Sequence, residues 1–367
     1  MDKALIWFAL NWLPLIKVIL VFGVLIIAHE FGHYYVAKKV GVTVHEFSFG
    51  MGPKLLSWKR GETLYAWRLF PVGGFVAIEG EDTKSDDKSD KKNMQNRTVG
   101  ERLAIISAGC VTNYILALVL FFVVGVCFGV VKVPLIVEKT MPNTPAYAVG
   151  IMPGDKIVAV NNQYMNFPEI VDYFHNHPDT EVNLKVVRGK EELSVSTKIV
   201  YDKETKVGRI GIISSRNVFD FYFKKATVGE AAMFSLSRTY DITVMPFYLI
   251  KAIAAKQVSG KEVVKSAGGP IMIGQLIFII AQKGLPNLLY FIALLNGLIG
   301  FFNLMPFPAL DGGRIVFLII EGIRKKPIDQ ELEGKIHWAG LILLLCIVAL
   351  VSFQDVMRLI HGTPIIK

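Results

Sequence analysis

The sequence contains little cysteine: its three cysteines, Cys110, Cys127 and Cys346, all fall in long apolar runs. No disulfide framework is therefore available to the parts of the chain outside those runs. Charged residues make up only 19% of the chain, whereas hydrophobic residues make up 52% and are concentrated in blocks. The basic residues are not interleaved with aromatic residues, so the net charge of +9 gives no reason to expect nucleic acid as a partner.

Four apolar blocks are long enough, or nearly so, to cross about 30 Å of hydrocarbon as helices. The first block is not followed by the small-residue cleavage site of a signal peptide, so we expect it to be retained. The sequence thus predicts a polytopic α-helical membrane protein with about four transmembrane helices in a lipid bilayer. The blocks lie at about residues 15–37, 103–131, 288–305 and 338–353.

The distribution of Lys and Arg predicts the orientation of these helices. Residues 38–102 hold about a dozen of them, many close to the ends of the apolar blocks, which predicts a cytoplasmic loop. Residues 132–286 then lie outside the cell, and residues 306–337 lie inside again. The net positive charge follows mostly from this topology.

The first block contains the sequence HEFGH at residues 29–33. On a helix, His29 and His33 project from one face, so both imidazoles can reach one Zn²⁺. Glu30 lies beside them, where it can take a proton from the catalytic water instead of binding the metal. Ionisable residues in a membrane span are costly and normally mark a functional site. The alternative is that the histidines merely cap the span at the interface.

A catalytic zinc needs a third protein ligand. The third block ends in FFNLMPFPALDGGR, where two prolines break the helix and Gly312 and Gly313 allow a tight backbone. Asp311 can therefore turn back toward the helices, and we predict it as the third ligand. The alternative is an interfacial Asp in an ordinary Pro-Gly turn. Asn303 is a candidate to orient the substrate or stabilise the developing oxyanion, or else a structural hydrogen-bonding residue between helices.

Two patterns, HEFGH in the first block and N-x-x-P-x-P-x-L-D-G-G at residues 303–313, make the chain resemble the site-2 protease family of intramembrane zinc metalloproteases. Its layout is similar to the bacterial RseP-like branch. The resemblance implies a zinc metalloendopeptidase of the bacterial cytoplasmic (inner) membrane, with its active site toward the cytoplasm. It would hydrolyse peptide bonds in or near transmembrane segments of membrane proteins, such as an anti-sigma factor or a remnant signal peptide, already trimmed by another protease.

The same resemblance assigns roles to individual residues. The zinc ligands would be His29, His33 and Asp311, and the general base would be Glu30. The family's second span usually carries G-P-x-x-N, whereas residues 109–113 are GCVTN, with Cys110 in place of the proline. Asn113 is accordingly a candidate contact to the substrate, to the transition state or to a metal ligand, with simple helix packing through Gly109 as the alternative.

Residues 41–80 contain short alternating runs separated by glycines, which predict β-hairpins. The resemblance implies that this region is a membrane-associated β-loop that pairs with the extended substrate. An exposed strand edge could accept a substrate strand through main-chain hydrogen bonds. Gly73 and Gly74 are therefore candidate substrate contacts. The alternative is an interfacial hairpin that only covers the site.

Residues 132–215 are rich in strands and turns, and the run from Ala146 to Asn161 resembles a PDZ domain, with Gly154 and Asp155 shaping the turn before an apolar strand. The length fits one such α+β domain, extracytoplasmic by the topology above. A PDZ domain receives a chain end or a strand at a sheet edge. Whether this one is a recognition groove or a steric filter stays open at this point.

Residues 216–284 contain helix formers in which charged residues interrupt the apolar ones, which predicts amphipathic helices on the outer surface and a connector. The predicted organisation is a first transmembrane region (1–40), the β-loop (41–80), a solvated cytoplasmic linker (81–102), a second helix (103–131), the PDZ domain (132–215), the surface helices (216–284), a third helix with its LDGG motif and cytoplasmic loop (285–336), and a fourth helix with its tail (337–367).

Two other functions are weighed against the protease. One is a membrane-anchored PDZ scaffold or chaperone with a non-catalytic metal site, which would favour cysteine-rich zinc coordination. The cysteines here have no paired spacing with the histidines. The other is a zinc-dependent transporter, which would need ionisable residues in several spans, whereas here they converge on one pair of motifs.

Overall fold

A computed structural model describes residues 3–81, 89–189, 191–202, 205–215, 221–255 and 268–361. The chain divides into two compact units. The membrane unit comprises Met1–Phe122 and Met233–His361, and the PDZ-like unit comprises Val123–Ala232. Each is described by itself below.

Long apolar helices make up most of the membrane unit. Four of them are long and apolar enough to cross a membrane, over Ile16–Val40, Val99–Cys127, Leu285–Leu304 and Glu331–Ile360. The fourth exposes Leu343, Leu345 and Leu350, as a lipid-facing helix does. The prediction of a polytopic membrane protein with four transmembrane helices is thereby confirmed. In chain order the long helices are α1 (Lys3–Val40), α2 (Val99–Cys127), α5 (Val228–Ala254), α6 (Pro270–Gln282), α7 (Leu285–Leu304), α8 (Asp311–Arg324) and α9 (Gln330–Ile360).

The region between α1 and α2 forms a β-sheet, as its alternating sequence predicts. The strands β1 (Val44–Arg60) and β2 (Thr63–Ile78) are antiparallel, and each bends so that the two strands form four paired segments. Tyr65 pairs with both Phe47 and Trp58, while Phe47 also pairs with Val76. The order across the sheet is therefore 54–60, 63–68, 44–49 and 74–78, which leaves residues 74–78 at an edge.

The helix α5 lies in the region predicted to hold amphipathic surface helices. It is not among the four candidate spans, yet it lies lengthwise against α2 and α7. Two of its polar side chains bond within the helix: the hydroxyls of Thr239 and Thr243 lie 2.8 and 3.0 Å from the carbonyl oxygens of Ser235 and Thr239. Contacts follow in order along it: Phe234 with Phe121, Thr243 with Tyr114, and Phe247 with Phe301.

The segment after the third span, predicted as a cytoplasmic connection between spans, contains the helix α8. The sequence carries a signal for this helix, because the apolar residues Ile315 and Leu318 are three residues apart, as on one face of a helix. Both pack in the cluster that holds Ala37, Val44 and Ile105. The helix is short because Lys325 follows it in a left-handed conformation, with φ of 52°.

The PDZ-like unit is built on a six-stranded sheet of order β11-β4-β5-β7-β8, with β6 beside β5. Gly154, with φ of +90°, and Asp155 form the turn before β5, as predicted. Ile157, Ile170 and Leu184 are fully buried in its core. The elements are β3 (Val130–Lys132), β4 (Leu135–Thr140), α3 (Pro145–Ala148), β5 (Lys156–Val160), β6 (Gln163–Tyr164), α4 (Phe167–Asn176), β7 (Glu181–Arg188), β8 (Glu191–Lys198), β9 (Val200–Asp202), β10 (Val207–Arg209), β11 (Ile212–Ser215) and β12 (Tyr222–Lys224).

Candidate active site

Close contact between α1 and α2 places the HEFGH turn against the second helix. A Cβ atom on Gly32 would lie 2.3 Å from the carbonyl oxygen of Ala108, and one on Gly109 would lie 2.3 Å from Nε2 of His33. Only glycine fits at either position without displacing backbone or imidazole. The small residues therefore determine how closely the two histidines approach α2.

The turn between α7 and α8 delivers Asp311 to the same place. The helix α7 ends at Leu304, before the two prolines, and Asp311 is the first residue of α8. Gly312 and Gly313 are needed for space, since Cβ atoms there would lie 2.2 Å from the Met305 oxygen and 2.5 Å from the Phe307 oxygen. The left-handed backbone of the turn falls on Ala309, with φ of 78°.

Three potential ligand atoms converge within the membrane unit. Nε2 of His29 lies 3.1 Å from Oδ2 of Asp311, and Nε2 of His33 lies 3.4 Å from the same oxygen. The two Nε2 atoms are 3.2 Å apart. A tetrahedral zinc with ligands at about 2.0–2.1 Å separates its ligand atoms by about 3.3 Å. Two imidazole nitrogens and a carboxylate oxygen in this triangle thus fit three corners of a zinc tetrahedron and leave the fourth corner for water or substrate.

Residues of α2 contact all three of these side chains. Nδ1 of His33 lies 2.9 Å from the carbonyl oxygen of Ile105. The side-chain amide of Asn113 lies 3.3 Å from Nδ1 of His29, and Sγ of Cys110 lies 3.5 Å from Oδ2 of Asp311. The contacts of Ile105 and Asn113 are to the ring nitrogens that face away from Asp311, and hydrogen bonds to the outer nitrogen of a metal-binding histidine fix its orientation.

Glu30 shares a cavity of about 200 Å³ with the three converging side chains. The backbone of Val76 hydrogen-bonds to the Glu30 carboxylate. A Cβ atom on Gly74 would lie 3.5 Å from Cγ of Glu30, so the glutamate faces the start of the 74–78 edge segment. This position leaves the carboxylate outside the ligand triangle but beside the space in front of it.

The cavity is bordered on one side by the edge of the β-sheet. Phe75, Val76 and Ile78 line it, and all three belong to the segment 74–78. No other described strand pairs with the outer side of this segment. Its main chain is thus directed toward the cavity that holds Glu30.

An ion pair borders the same cavity. Nη1 of Arg314 lies 2.7 Å from Oε1 of Glu81, and both side chains also line a second cavity of about 520 Å³ beside α9. Neither residue is predicted from the sequence as part of the site. One feature of the sequence could have placed Arg314 near the site: it follows Asp311 by three residues, so on a helix the two side chains lie on the same face.

The other residues predicted to contact the substrate lie outside the cavity that holds Glu30, His29, His33 and Asp311, except Gly74, which lies beside Glu30. Asn303 is half-buried near the end of α7, and it is not among the described residues that line the cavity. Asn113 is fully buried behind His29 and does not line it either. Gly73 has φ of +85° and packs against Met51, one residue before the edge segment.

Two histidines and a carboxylate beside a glutamate, inside a bundle of membrane-spanning helices, are the arrangement of an intramembrane metallopeptidase. The chain belongs to peptidase family M50, which it matches over residues 17–347. It is an intramembrane zinc metalloprotease, and the names of its relatives indicate zinc as the family's cofactor.

Relatives match along nearly the whole chain. A Clostridium acetobutylicum protein named as a candidate zinc metalloprotease is 34% identical over 348 residues, which cover 95% of this chain and 98% of the relative. The Bacillus subtilis regulator of sigma-W protease RasP is 29% identical over 429 residues, covering 94% and 98% of the two chains. The PDZ domain of an SdrC-like protein from Listeria innocua matches with 27% identity and a TM-score of 0.20, covering 22% of this chain and 92% of that one.

Proposed function

We propose that His29, His33 and Asp311 hold the catalytic zinc and that Glu30 is the general base. The observation that carries this proposal is the triangle of 3.1, 3.2 and 3.4 Å formed by two imidazole nitrogens and one carboxylate oxygen. Zinc, when bound, polarises the scissile carbonyl and makes a water molecule acidic enough to attack near neutral pH.

Glu30 accepts the proton of the attacking water and delivers it to the leaving amine. Its place in the cavity, next to the triangle but not part of it, suits this role. The apolar side chains of Ile105, Ile106 and Met94 in the cavity wall keep bulk water scarce, which strengthens the electrostatic interactions within it.

The substrate adds a strand to segment 74–78. Main-chain pairing at this edge would extend the substrate across the cavity and present its backbone to Glu30 whatever the side chains. A transmembrane helix is otherwise poorly accessible, because its amides and carbonyls are hydrogen-bonded within the helix. Unwinding the substrate into an extended strand is therefore part of the reaction.

The active site faces the cytoplasm and the PDZ-like unit lies outside the membrane. The basic residues of loop 38–102 support this orientation. We propose membrane proteins already trimmed on their outer side as substrates, and anti-sigma factors as one class, since a relative is named a regulator of sigma-W protease. The PDZ-like unit would act as recognition groove or steric filter.

Cleavage of a single-span substrate by the purified chain tests the role of Glu30. Glu30→Gln keeps the volume of the side chain but removes the base, so we expect bound zinc to be retained while the cleavage rate falls at least about 100-fold. Glu331→Gln, at an exposed glutamate of α9, is the matched control and should cut at the parental rate. Parental activity in Glu30→Gln, or a parent that binds no zinc, would contradict the proposal.

A further inference from the structure

The buried amide of Asn113 contacts a metal ligand and does not border the reaction cavity. Asn113 is fully buried, and its side-chain amide lies 3.3 Å from Nδ1 of His29. The described side chains that line the cavity do not include it. An amide in this position is poorly placed to stabilise charge on a substrate carbonyl, which requires donors about 2.7–3.1 Å from the oxyanion.

The ring nitrogen of His29 that carries the proton determines whether Asn113 must offer it a hydrogen-bond donor or an acceptor. Nε2 of His29 points at Asp311 and is the atom proposed to bind zinc. A neutral imidazole that ligates through Nε2 carries its proton on Nδ1. Nδ1 is then a donor, and only the oxygen of the Asn113 amide can accept from it. The amide nitrogen could not, because it is itself a donor.

A rotation of the Asn113 side-chain amide by 180° would place its oxygen against Nδ1 of His29. Its Oδ1 is buried and has no hydrogen-bond partner among the described residues, whereas its Nδ2 faces His29. Rotation of 180° about the last side-chain torsion exchanges two groups of nearly the same size and turns Oδ1 toward Nδ1. The orphaned acceptor and the unmatched donor are thereby brought together.

The other histidine shows the same arrangement. Nδ1 of His33 lies 2.9 Å from the carbonyl oxygen of Ile105, which can only accept. Ile105 and Asn113 are eight residues apart on α2, about two turns, so their partners face the same side of that helix. One face of α2 thus presents an acceptor to each histidine.

We infer that Asn113 is a positioning residue that accepts a hydrogen bond from Nδ1–H of His29, and that it does not donate to the transition state. The inference rests on the proposed zinc site. It separates the roles of the two asparagines that the sequence alone leaves open, and it makes α2 the helix that orients both imidazoles.

Zinc affinity of the full chain in detergent, measured by competition with a chromophoric chelator, tests the inference. Asn113→Leu has no hydrogen-bonding group, so we expect zinc affinity to fall about 10- to 100-fold. Asn113→Asp has only acceptor oxygens, so we expect it to bind zinc at least as tightly as the parent chain. Absorption of the cobalt-loaded chains should match the parent for Asn113→Asp and differ for Asn113→Leu.

Asn296→Leu is the matched control, because Asn296 is another fully buried amide of a span, bonded to the carbonyl of Ile292. We expect parental zinc affinity for it. Zinc affinity lost in Asn113→Asp would overturn the inference, whether or not Asn113→Leu folds, as would parental affinity in Asn113→Leu. A parent that binds no zinc would instead overturn the proposed function, so the two failures are distinguishable.

Discussion

At the scale of single residues, the site separates groups that would bind metal from the group that would move protons. His29 and His33 lie one helical turn apart and meet Asp311, which arrives from 278 residues further along the chain. Glu30 is adjacent to His29 in sequence but points to the sheet edge, because neighbouring helical residues project about 100° apart. This geometry explains how one short motif would supply two of the proposed ligands and the proposed base.

A buried carboxylate in the PDZ-like unit makes that unit sensitive to acid. Asp155 is 1% exposed and accepts from the backbone of Met152 at 2.8 Å and from Arg188 at 2.7 and 2.8 Å. Burial alone would raise the pKa of Asp155, but these hydrogen bonds outweigh it and lower the pKa below the usual 3.8. The stabilisation is present above that value and is lost as the pH falls through the lower, folded pKa.

We therefore expect the PDZ-like unit to lose stability below about pH 4, and Arg188→Met to lower its stability at neutral pH because the buried Asp155 carboxylate loses its charged partner. Hydrogen exchange of the β5 and β7 amides in the full chain, corrected for intrinsic rates, measures both effects. Lys198→Met, at an exposed lysine of β8, is the control. If the exchange rates of Arg188→Met match those of the parent at neutral pH, the ion pair of Asp155 and Arg188 contributes nothing to the stability of the PDZ-like unit.

At the scale of elements, the sequence specified more of α1 and the β-sheet than of the helices after the PDZ-like unit. The HEFGH spacing and the alternation at 44–78 are local signals, and the structure follows both. The carbonyl of Ile105 could not be predicted as a partner of His33, because every residue has one. The packing of α5 against α2 and α7 could not be predicted either, because its contacts, such as Phe234 with Phe121 and Phe247 with Phe301, join residues far apart in the sequence.

The contact between α1 and α2 gives a test at this scale. Gly109→Ala would place a methyl group 2.3 Å from Nε2 of His33 and 2.7 Å from Cε1 of His29. We expect overpacking to cost about 1–3 kcal/mol, with weakened zinc binding because both ligands must move. Zinc content and thermal unfolding of the purified chain measure the two effects.

Gly100→Ala on the same helix is the control, because nothing lies within 4 Å of a Cβ atom there. It should keep its zinc and gain up to about 1 kcal/mol from helix propensity. Equal zinc content in Gly109→Ala and the parent would mean that α2 does not confine the histidines.

At the scale of the whole molecule, four spans cross the membrane an even number of times. The segment before the first span and the segment after the fourth therefore lie on the same side. Charge in the loops predicts which side, and labelling of single introduced cysteines tests it. We expect Lys198→Cys, in the PDZ-like unit, to react with a membrane-impermeant maleimide in intact spheroplasts. Lys326→Cys, between α8 and α9, should react only after permeabilisation. The reverse pattern would invert the proposed orientation.

The position of the cut in the substrate tests the central claim most directly. Mass spectrometry of the products of a single-span substrate, cleaved in ¹⁸O-labelled water, identifies the new carboxyl terminus and shows that hydrolysis formed it. We predict one ¹⁸O-labelled terminus inside or at the border of the transmembrane segment, absent with Glu30→Gln. A cut confined to the soluble part of the substrate, or the same product from Glu30→Gln, would contradict the account of an intramembrane protease centred on His29, His33 and Asp311.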